Sequence, residues 1–328
     1  MADVFVSYAR SDRTPVQTAT PEVSVILPTF NRVHYLSAAV DSVCGQSFRD
    51  WELIIADDGS DAATRDFLTT LADPRIRVLL LQHSGSPAVA RNAAIREARG
   101  KFVAFIDSDD LWMPQKLERQ LAAMNASPQR RWSYTSIRRI DERGDDAPQE
   151  HVMPWQAWDG SILEPLLNLQ ARVATPTVIA ERTLVLDVGA FDEQQRFAED
   201  YDLWLRLAMR SEVTVLSEPL ACVRVHTDNY SQDRIGAYEA WVRLYGKMAR
   251  VVEASHLQSV CRELRAYNAL TLASIYSQAH QHRLAIRSVM SASSAGWSRS
   301  WWWSRTPRVL AKVLYRAAVR RDQAGPPP

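Results

Sequence analysis

Short apolar runs alternate with amphipathic stretches along the first third of the chain. The apolar runs predict strands over 23–27, 53–56, 76–81 and 102–106. Apolar residues at helical spacing predict helices between them, over 33–45, 62–71 and 89–99. Gly45 and Gly100 lie where the first and third of these helices should end. This alternation predicts an α/β fold with a mostly parallel sheet flanked by helices.

The remaining chain is patterned differently. Residues 130–230 are less regular and predict a helix over 199–210 and short strands near 133–137, 177–180 and 213–216. From about residue 236 the pattern is helical to the end. We therefore divide the chain into an N-terminal tail, an α/β domain and a basic helical region, at 1–21, 22–232 and 233–328. The tail begins like the first strand of a TIR domain, but a linker-like stretch follows at once and no such domain is predicted.

Composition sets the class of protein and its expected compartment. The chain has 328 residues, of which 46% are hydrophobic and 23% charged, as in soluble globular proteins. Its three cysteines lack metal-site spacing, which indicates a reducing compartment without a disulfide framework. No apolar run is long enough to span a bilayer, and the N-terminus lacks the apolar stretch of a signal peptide. We expect a cytoplasmic protein.

Candidate chemistry appears where the last of the early strands ends. Asp107, Asp109 and Asp110 follow a buried apolar run within four positions. Like charges this close repel one another, and a divalent cation that bridges to substrate phosphates would offset the repulsion. A solvated acidic loop is the alternative interpretation of this cluster taken alone.

The other strand ends are also polar, at 28–32 and 57–60. Because the carboxyl ends of parallel strands meet at one edge of a sheet, these segments should surround one ligand. The chain has neither the Gly-x-Gly-x-x-Gly fingerprint after its first strand nor a Walker loop, which disfavours dehydrogenases and P-loop enzymes. Carboxylates with a metal suit a nucleotide diphosphate.

Four segments together resemble a family 2 glycosyltransferase of the GT-A fold. They occur in the family's order, at 23–32, 51–60, 90–100 and 107–112. The resemblance implies an inverting enzyme that uses a nucleotide-diphospho-sugar, with UDP as the expected nucleotide. The helical pattern from about residue 236 adds a C-terminal α-helical extension to the GT-A domain.

The resemblance assigns donor-side residues by position. Donor-binding residues would be Pro28, Thr29, Asn31, Asp57, Asp58, Arg91 and Asp107. Ligands of a divalent metal, Mn²⁺ or Mg²⁺, would be Asp109, Asp107, Asp110 and His226. Asp58, with Asp57, would bind the base, and Arg91 would approach the donor phosphates. A surface arginine and a structural histidine remain the alternatives for Arg91 and His226.

Residues 189–193 and 198–206 resemble the family's acceptor-side motif. The resemblance makes Asp200 the general base and places Glu199, Thr175 and Trp204 on the acceptor side. Acidic residues are also favoured in the first turn of any helix, which is the alternative interpretation. The implied reaction is a single displacement in which Asp200 takes the proton of the acceptor hydroxyl.

The C-terminal region is basic, with no acidic residue between Glu263 and Asp322. Cations recur every four residues, at Arg308, Lys312, Arg316 and Arg320, and another face is apolar, at Leu310, Val313, Leu314 and Ala317. Tryptophans precede them at Trp297, Trp301, Trp302 and Trp303. This pattern predicts a helix on an anionic membrane surface, with a helix packed on the catalytic domain as the alternative. Nucleic-acid binding is disfavoured because no recognised motif accompanies the charge.

The function predicted is sugar transfer, of the hexosyltransferase type, to a hydroxyl of a lipid-linked or growing surface glycan. A nucleotidyltransferase and a non-catalytic nucleotide-sugar-binding protein are the alternatives. The ordered set of segments from 23 to 112 favours the transferase. The expected place of action is the cytoplasm, at the inner face of the cell membrane.

Overall fold

The computed structural model describes residues 7–8, 20–147, 155–226, 233–296 and 306–313. These residues fall into two compact units. One lies within Met1–Gln194 and Glu199–Thr227, and the other within Gln195–Ala198 and Asp228–Pro328. The first unit holds every residue predicted to act in the site.

A mixed β-sheet organises the first unit. Within the described residues its strands are β1 (Ser7–Tyr8), β2 (Val23–Thr29), β3 (Trp51–Asp57), β4 (Ile76–Leu80), β5 (Phe102–Phe105), β6 (Leu111–Trp112), β7 (Trp132–Ile140), β8 (Ile179–Glu181) and β9 (Val213–Arg224). Their order in the sheet is β1-β4-β3-β2-β5-β8-β7-β9-β6. Strands β2 to β5 pair in parallel, as the alternating pattern predicts. Beyond β5, strand β8 is antiparallel to both β5 and β7.

Helices connect these strands. They are α1 (Val33–Cys44), α2 (Ala62–Thr69), α3 (Pro87–Glu97), α4 (Lys116–Asn125), α5 (Leu163–Leu167), α6 (Arg182–Asp187) and α7 (Glu199–Ala208), with a short 3₁₀ turn at Thr175–Thr177. Helix α1 ends before Gly45, as predicted. Asp61 caps the N-terminus of helix α2: its side chain accepts a hydrogen bond from Thr64 N at 2.9 Å and so satisfies a free amide of the first turn.

Strands β2 and β3, at the centre of the parallel part of the sheet, are shielded from solvent. Every residue of β2 and β3 is buried, because neighbouring strands lie on both sides and side chains of both faces are covered. Helix α1 turns Leu36, Ala39, Val40 and Val43 into this core. The predicted elements of the first third match those observed to within about two residues at each end, the usual uncertainty of helix ends. Strands β7 and β9 extend well beyond their predicted limits.

The second unit is helical. It contains α8 (Arg234–Val251), α9 (Ser255–Gln278), α10 (His282–Gly296) and the helical residues 306–313. None of the helices in the described ranges is long and apolar enough to cross a bilayer.

The helical residues 306–313 correct part of the predicted membrane surface. Val313 is fully buried, and Val309 and Leu310 pack against side chains of α8, α9 and α10. Arg308 and Lys312 stay exposed. Leu310 and Val313 therefore serve packing within the protein rather than contact with lipid. The predicted tryptophans, Arg316, Arg320, Leu314 and Ala317 lie outside the described residues.

Candidate active site

The loops after β2 and β3 are joined side chain to backbone at the carboxyl edge of the sheet. Asn31 has a positive φ of 52°, a conformation that asparagine tolerates better than most residues. Its backbone N–H donates to Ser60 Oγ at 2.9 Å, and its Oδ1 accepts from Asp61 N at 2.8 Å. The segments at 28–32 and 57–60 thus form one continuous wall, as the parallel sheet predicts.

Pro28 and Thr29, at the end of β2, are both buried beside this wall. Pro28 is buried within the strand, opposite Ala56. The Thr29 hydroxyl is buried and has no hydrogen-bond partner among the described residues. Next to it, exposed Phe30 stacks on His83, with ring centroids 4.2 Å apart. A buried hydroxyl without a partner is uncommon in a folded protein, so Thr29 is marked out at the end of β2.

Asp57 and Asp58 are largely committed to holding the backbone. Asp57 is fully buried and accepts from Ser60 N at 3.1 Å. Asp58 Oδ1 accepts from the Ser84 N–H and hydroxyl, both at 2.8 Å, and its Oδ2 accepts from Gly85 N at 2.9 Å. A carboxylate offers about four acceptor positions, so most of the capacity of Asp58 is used. This residue anchors the loop that follows β4, a role that the sequence did not indicate.

Arg91 joins the donor and acceptor sides of the predicted site. From α3 its guanidinium donates to Asp107 Oδ1 at 2.7 Å and to Glu199 Oε1 at 2.8 Å. Burial acts to lower the pKa of Arg91, but the charges of Asp107 and Glu199 raise it above its ordinary value. The positive charge of Arg91 offsets part of the repulsion among the carboxylates of the acidic cluster. The sequence predicts that a metal ion alone does so. Arg91 is buried and is therefore not the surface arginine of the alternative interpretation, and its approach to the donor phosphates stays a prediction.

Burial and neighbouring carboxylates raise the pKa values of the acidic side chains near Arg91. Burial raises the pKa of Asp107, Arg91 lowers it, and Asp109 and Asp200 raise it, for a net increase. Burial and the Asp200 charge raise the pKa of Glu199 to about 7, against the opposing effect of Arg91. A cluster with more negative than positive charge in a partly dry site favours binding of a further cation.

Asp109 lies against His226. His226 Nε2 is 2.9 Å from Asp109 Oδ2, and the His226 side chain is 2% exposed. The ring stacks on Tyr35 from the first turn of α1, with centroids 5.3 Å apart. His226 thus lies beside Asp109, and its predicted role as a metal ligand stays a prediction.

Asp110 is turned into the protein. It is buried, and its Oδ1 accepts from Arg224 N at 2.9 Å. Burial first, and the charges of Asp109 and Asp107 next, raise its pKa well above the ordinary value. Because Asp110 Oδ1 already holds the acidic loop against β9 through Arg224 N, Asp110 is poorly suited as a substitute metal ligand.

The acceptor-side motif brings Asp200 and Thr175 together. The Thr175 hydroxyl donates to Asp200 Oδ2 at 3.1 Å, and Tyr201 N donates to Asp200 Oδ1 at 2.7 Å. Asp200 remains partly exposed, whereas the neighbouring Glu199 is buried. Asp200 is therefore oriented by two hydrogen bonds while still open to a ligand.

Trp204 is a core residue, which corrects its predicted place on the acceptor side. Its side chain is fully buried, with its ring 5.7 Å from that of Phe105 and 6.3 Å from those of Trp132 and Phe191. Aromatic clusters of this kind stabilise the junction of a helix and a sheet. Trp204 holds α7 on the sheet and has no surface to offer an acceptor.

Three residues to which the sequence assigned no role support the site. Trp112 Nε1 donates to Pro176 O at 2.8 Å, which ties the acidic loop to the turn that carries Thr175. Tyr35 stacks on His226, and Arg224 Nε donates to Asp109 O at 2.8 Å. Trp112 and Tyr35 each follow a predicted strand-end segment by a few residues. That proximity was the available signal for them.

Within the described residues, no group of three or more His, Cys, Asp or Glu side chains is arranged to hold an ion by itself. The nearest approach is the pair Asp109 and His226, with Asp107 two positions before Asp109. An ion that binds together with a diphosphate needs only one or two protein carboxylates, because phosphate oxygens and water complete its shell. The donor set fits that mode of binding.

Comparison with known proteins agrees with this geometry. Residues 24–186 match the profile of Glycosyl transferase family 2. The chain is 34% identical over 206 residues to an uncharacterized glycosyltransferase of Rickettsia felis, covering 62% of this chain and 33% of that protein. It is 31% identical over 203 residues to the UDP-Glc:alpha-D-GlcNAc-diphosphoundecaprenol beta-1,3-glucosyltransferase WfgD of Escherichia coli, covering 61% of this chain and 75% of that protein.

Two solved structures share the fold. S. aureus TarS 1-349 in complex with UDP has a TM-score of 0.66 at 21% identity, covering 90% of this chain and 88% of its own. A mannosyltransferase from Pyrobaculum calidifontis in complex with GDP-Man and Mn²⁺ has a TM-score of 0.58 at 19% identity, covering 94% and 89%. At such identities the likeness establishes the mixed α/β fold of the GT-A type and no more.

The extent of these matches differs between relatives. The chain spans about a third of the length of the Rickettsia relative and three quarters of the Escherichia coli one. The second match, together with the family profile over the sheet and its loops, is sufficient to assign the family. The chain belongs to glycosyl transferase family 2.

Proposed function

We propose that this protein is an inverting glycosyltransferase that moves a sugar from a nucleotide diphosphate to an acceptor hydroxyl. The observation that carries the proposal is the position of Arg91, which holds Asp107 and Glu199 on its two terminal nitrogens. This bridge sets the donor-side acidic loop beside the start of α7. Asp200, the next residue of α7, is then within reach of a sugar bound at the loop.

The donor is held at the carboxyl edge of β2, β3 and β5. We infer that the base lies against the wall formed by Thr29, Asn31 and the loop that Asp58 anchors. Asp57 and Asp58 would contribute mainly by fixing that wall, because their oxygens already accept backbone hydrogen bonds. UDP is the nucleotide we favour, since the TarS structure contains UDP and the Escherichia coli relative is named for UDP-Glc.

A divalent metal, Mn²⁺ or Mg²⁺, fits the acidic loop. Asp109 and Asp107 would hold it, with His226 beside them, and the donor diphosphate would supply further oxygen ligands. Bound there, a metal neutralises charge on the diphosphate. The surplus of negative charge around Asp107, which raises the pKa of that residue, is the feature of this chain that favours a cation. The Pyrobaculum mannosyltransferase structure contains Mn²⁺.

Asp200 acts as the general base. The hydrogen bonds from Thr175 and from Tyr201 N fix the plane of its carboxylate, so one oxygen edge is presented to the acceptor. As the acceptor oxygen attacks the anomeric carbon, its proton passes to Asp200 and the bond to the diphosphate breaks. One displacement inverts the configuration, so an α-linked donor gives a β-linked product.

The acceptor we favour is a lipid-linked or growing surface glycan, because the Escherichia coli relative is named for a diphosphoundecaprenol acceptor. Such an acceptor places the reaction at the inner face of the cell membrane, with the protein in the cytoplasm. Acceptor choice would depend on the surroundings of the Thr175 turn, which faces Asp200.

The experiment that tests the proposal measures nucleotide diphosphate release from UDP-, GDP- and dTDP-sugars, with Mn²⁺ or Mg²⁺ and then with a chelator. We expect release from one donor class, its loss with chelator, and its loss in Asp109→Ala. Calorimetry with the same donors shows whether binding persists without turnover. Absence of both binding and release for every donor would refute the proposal, and binding without turnover in the presence of a glycan acceptor would indicate a binding protein.

A further inference from the structure

The outward face of α10 combines positive charge with exposed apolar side chains. Arg283, Arg287 and Met290 are spaced by four and three residues, so they share one face of the helix, and Leu284 lies at its margin. Leu284 is 40% exposed and Met290 is 69% exposed, and both arginines are exposed. We call these four residues the basic face. Cations with apolar neighbours on a single helical arc are typical of contact with a lipid surface.

The orientation of α10 is fixed by its opposite side. Ala285, Val289 and Ala292 are buried, and they pack in clusters with residues of α9 such as Leu270 and Tyr276. Because this side forms the core of the helical unit, α10 cannot roll to bury the basic face. The basic face is therefore a constant part of the surface of this unit.

A neighbouring helix adds charge of the same sign. In the helical residues 306–313, Val313 belongs to the cluster that contains Ala285, and Val309 packs against it together with Ile286. Arg308 and Lys312 are exposed on that helix. No Asp or Glu occurs between Glu263 and Asp322, so neither helix carries an acidic residue that would neutralise these cations.

We propose that the basic face docks this protein on the anionic surface of a lipid bilayer. Arginines would lie at the headgroups, while Leu284 and Met290 would enter the boundary between headgroups and acyl chains. The apolar residues favour lipid over a nucleic acid, because a phosphate backbone offers them no contact. The residues that meet the membrane thus belong to α10, in place of Leu310 and Val313, which are used for packing. This inference does not depend on the glycosyltransferase reaction.

The test uses the full chain in co-sedimentation with vesicles of phosphatidylglycerol and phosphatidylcholine, and with phosphatidylcholine alone. Arg283→Glu with Arg287→Glu should lower partition to the anionic vesicles by at least about tenfold, since each cation near such a surface contributes about fivefold. The matched control reverses two exposed arginines of the first unit, Arg143→Glu with Arg210→Glu, and should sediment nearly as the wild type. Circular dichroism and donor hydrolysis without lipid should be unchanged in both variants.

A second pair of variants tests the apolar part. Leu284→Gln with Met290→Gln should lower partition several-fold while leaving its dependence on salt intact, because the charges remain. The inference is overturned if wild-type protein ignores anionic vesicles, if the basic-face variant sediments as wild type, or if the control loses as much as that variant. Arginine-dependent binding of a single-stranded oligonucleotide without vesicle binding would replace the membrane by a nucleic acid.

Discussion

The two sides of the site use their carboxylates in different ways. On the donor side, Asp57, Asp58 and Asp110 are buried and accept hydrogen bonds from backbone amides. On the acceptor side, Asp200 is partly exposed and is held by one hydroxyl and one amide. Most acidic residues of the donor side thus hold the loops in place, whereas the proposed mechanism gives the chemistry to Asp109 and Asp200.

The largest expected effect separates these two groups directly. Asp200→Asn should lower the turnover of sugar transfer by about 10²- to 10⁴-fold, because it removes the base that accepts the acceptor proton. Donor affinity measured by calorimetry should change little, since Asp200 lies on the acceptor side. Asp66→Asn, on the exposed face of α2, is the control and should keep wild-type turnover. Near-normal turnover in Asp200→Asn would show that Asp200 is not the general base.

The connection between the two sides can be broken at Arg91. Arg91→Met should lower the free energy of unfolding by about 3 kcal/mol in urea titrations, because it leaves the buried Glu199 and the partly buried Asp107 without their shared cation. Arg96→Met, one turn along and 53% exposed, should cost less than about 0.5 kcal/mol. Equal stability of the two variants would show that the Arg91 bridge is not what holds the two sides together.

The buried Glu199 predicts a pH effect of its own. Its pKa is raised from 4.5 to about 7, so the folded protein binds an extra proton between those values and loses stability as pH rises through that window. Relative to Glu199→Gln, the wild type should lose about 2 kcal/mol of unfolding free energy between pH 5 and pH 8. Glu253→Gln, at an exposed position, should follow the wild-type curve. A wild type and Glu199→Gln with parallel curves would contradict the assignment.

The smallest expected effect concerns the hydrogen bond from Thr175 that orients Asp200. Thr175→Val should lower turnover about 5- to 10-fold with donor affinity unchanged, because one hydrogen bond that orients Asp200 is lost. Thr177→Val is the matched control, since its hydroxyl lies in the same turn but donates to Ala174 O at 2.6 Å. It should reduce stability more than turnover. If both variants lose turnover equally, the turn matters only as a whole.

The same contrast explains what the sequence could predict. The donor-side residues are contiguous in the sequence. The segments at 28–32, 57–60 and 107–110 therefore identify both the strand ends and their polar residues. The acceptor side depends on contacts between distant residues, such as Arg91 with Glu199 and Trp112 with Pro176. Periodicity does not reveal such partners, which is why the bridge of Arg91 and the core position of Trp204 were missed. Likewise, the pattern at 306–313 is amphipathic in either environment, and only packing shows that its apolar residues are buried.

The anomeric configuration of the product most directly tests the proposed single displacement with Asp200 as the general base. Wild-type protein would be given its accepted donor and a glycan acceptor, and the new linkage would be assigned by nuclear magnetic resonance. A single displacement with Asp200 as the general base predicts inversion, so an α-linked donor should give a β-linked product. A product with the donor's own configuration would contradict the single displacement and the role of Asp200 with it.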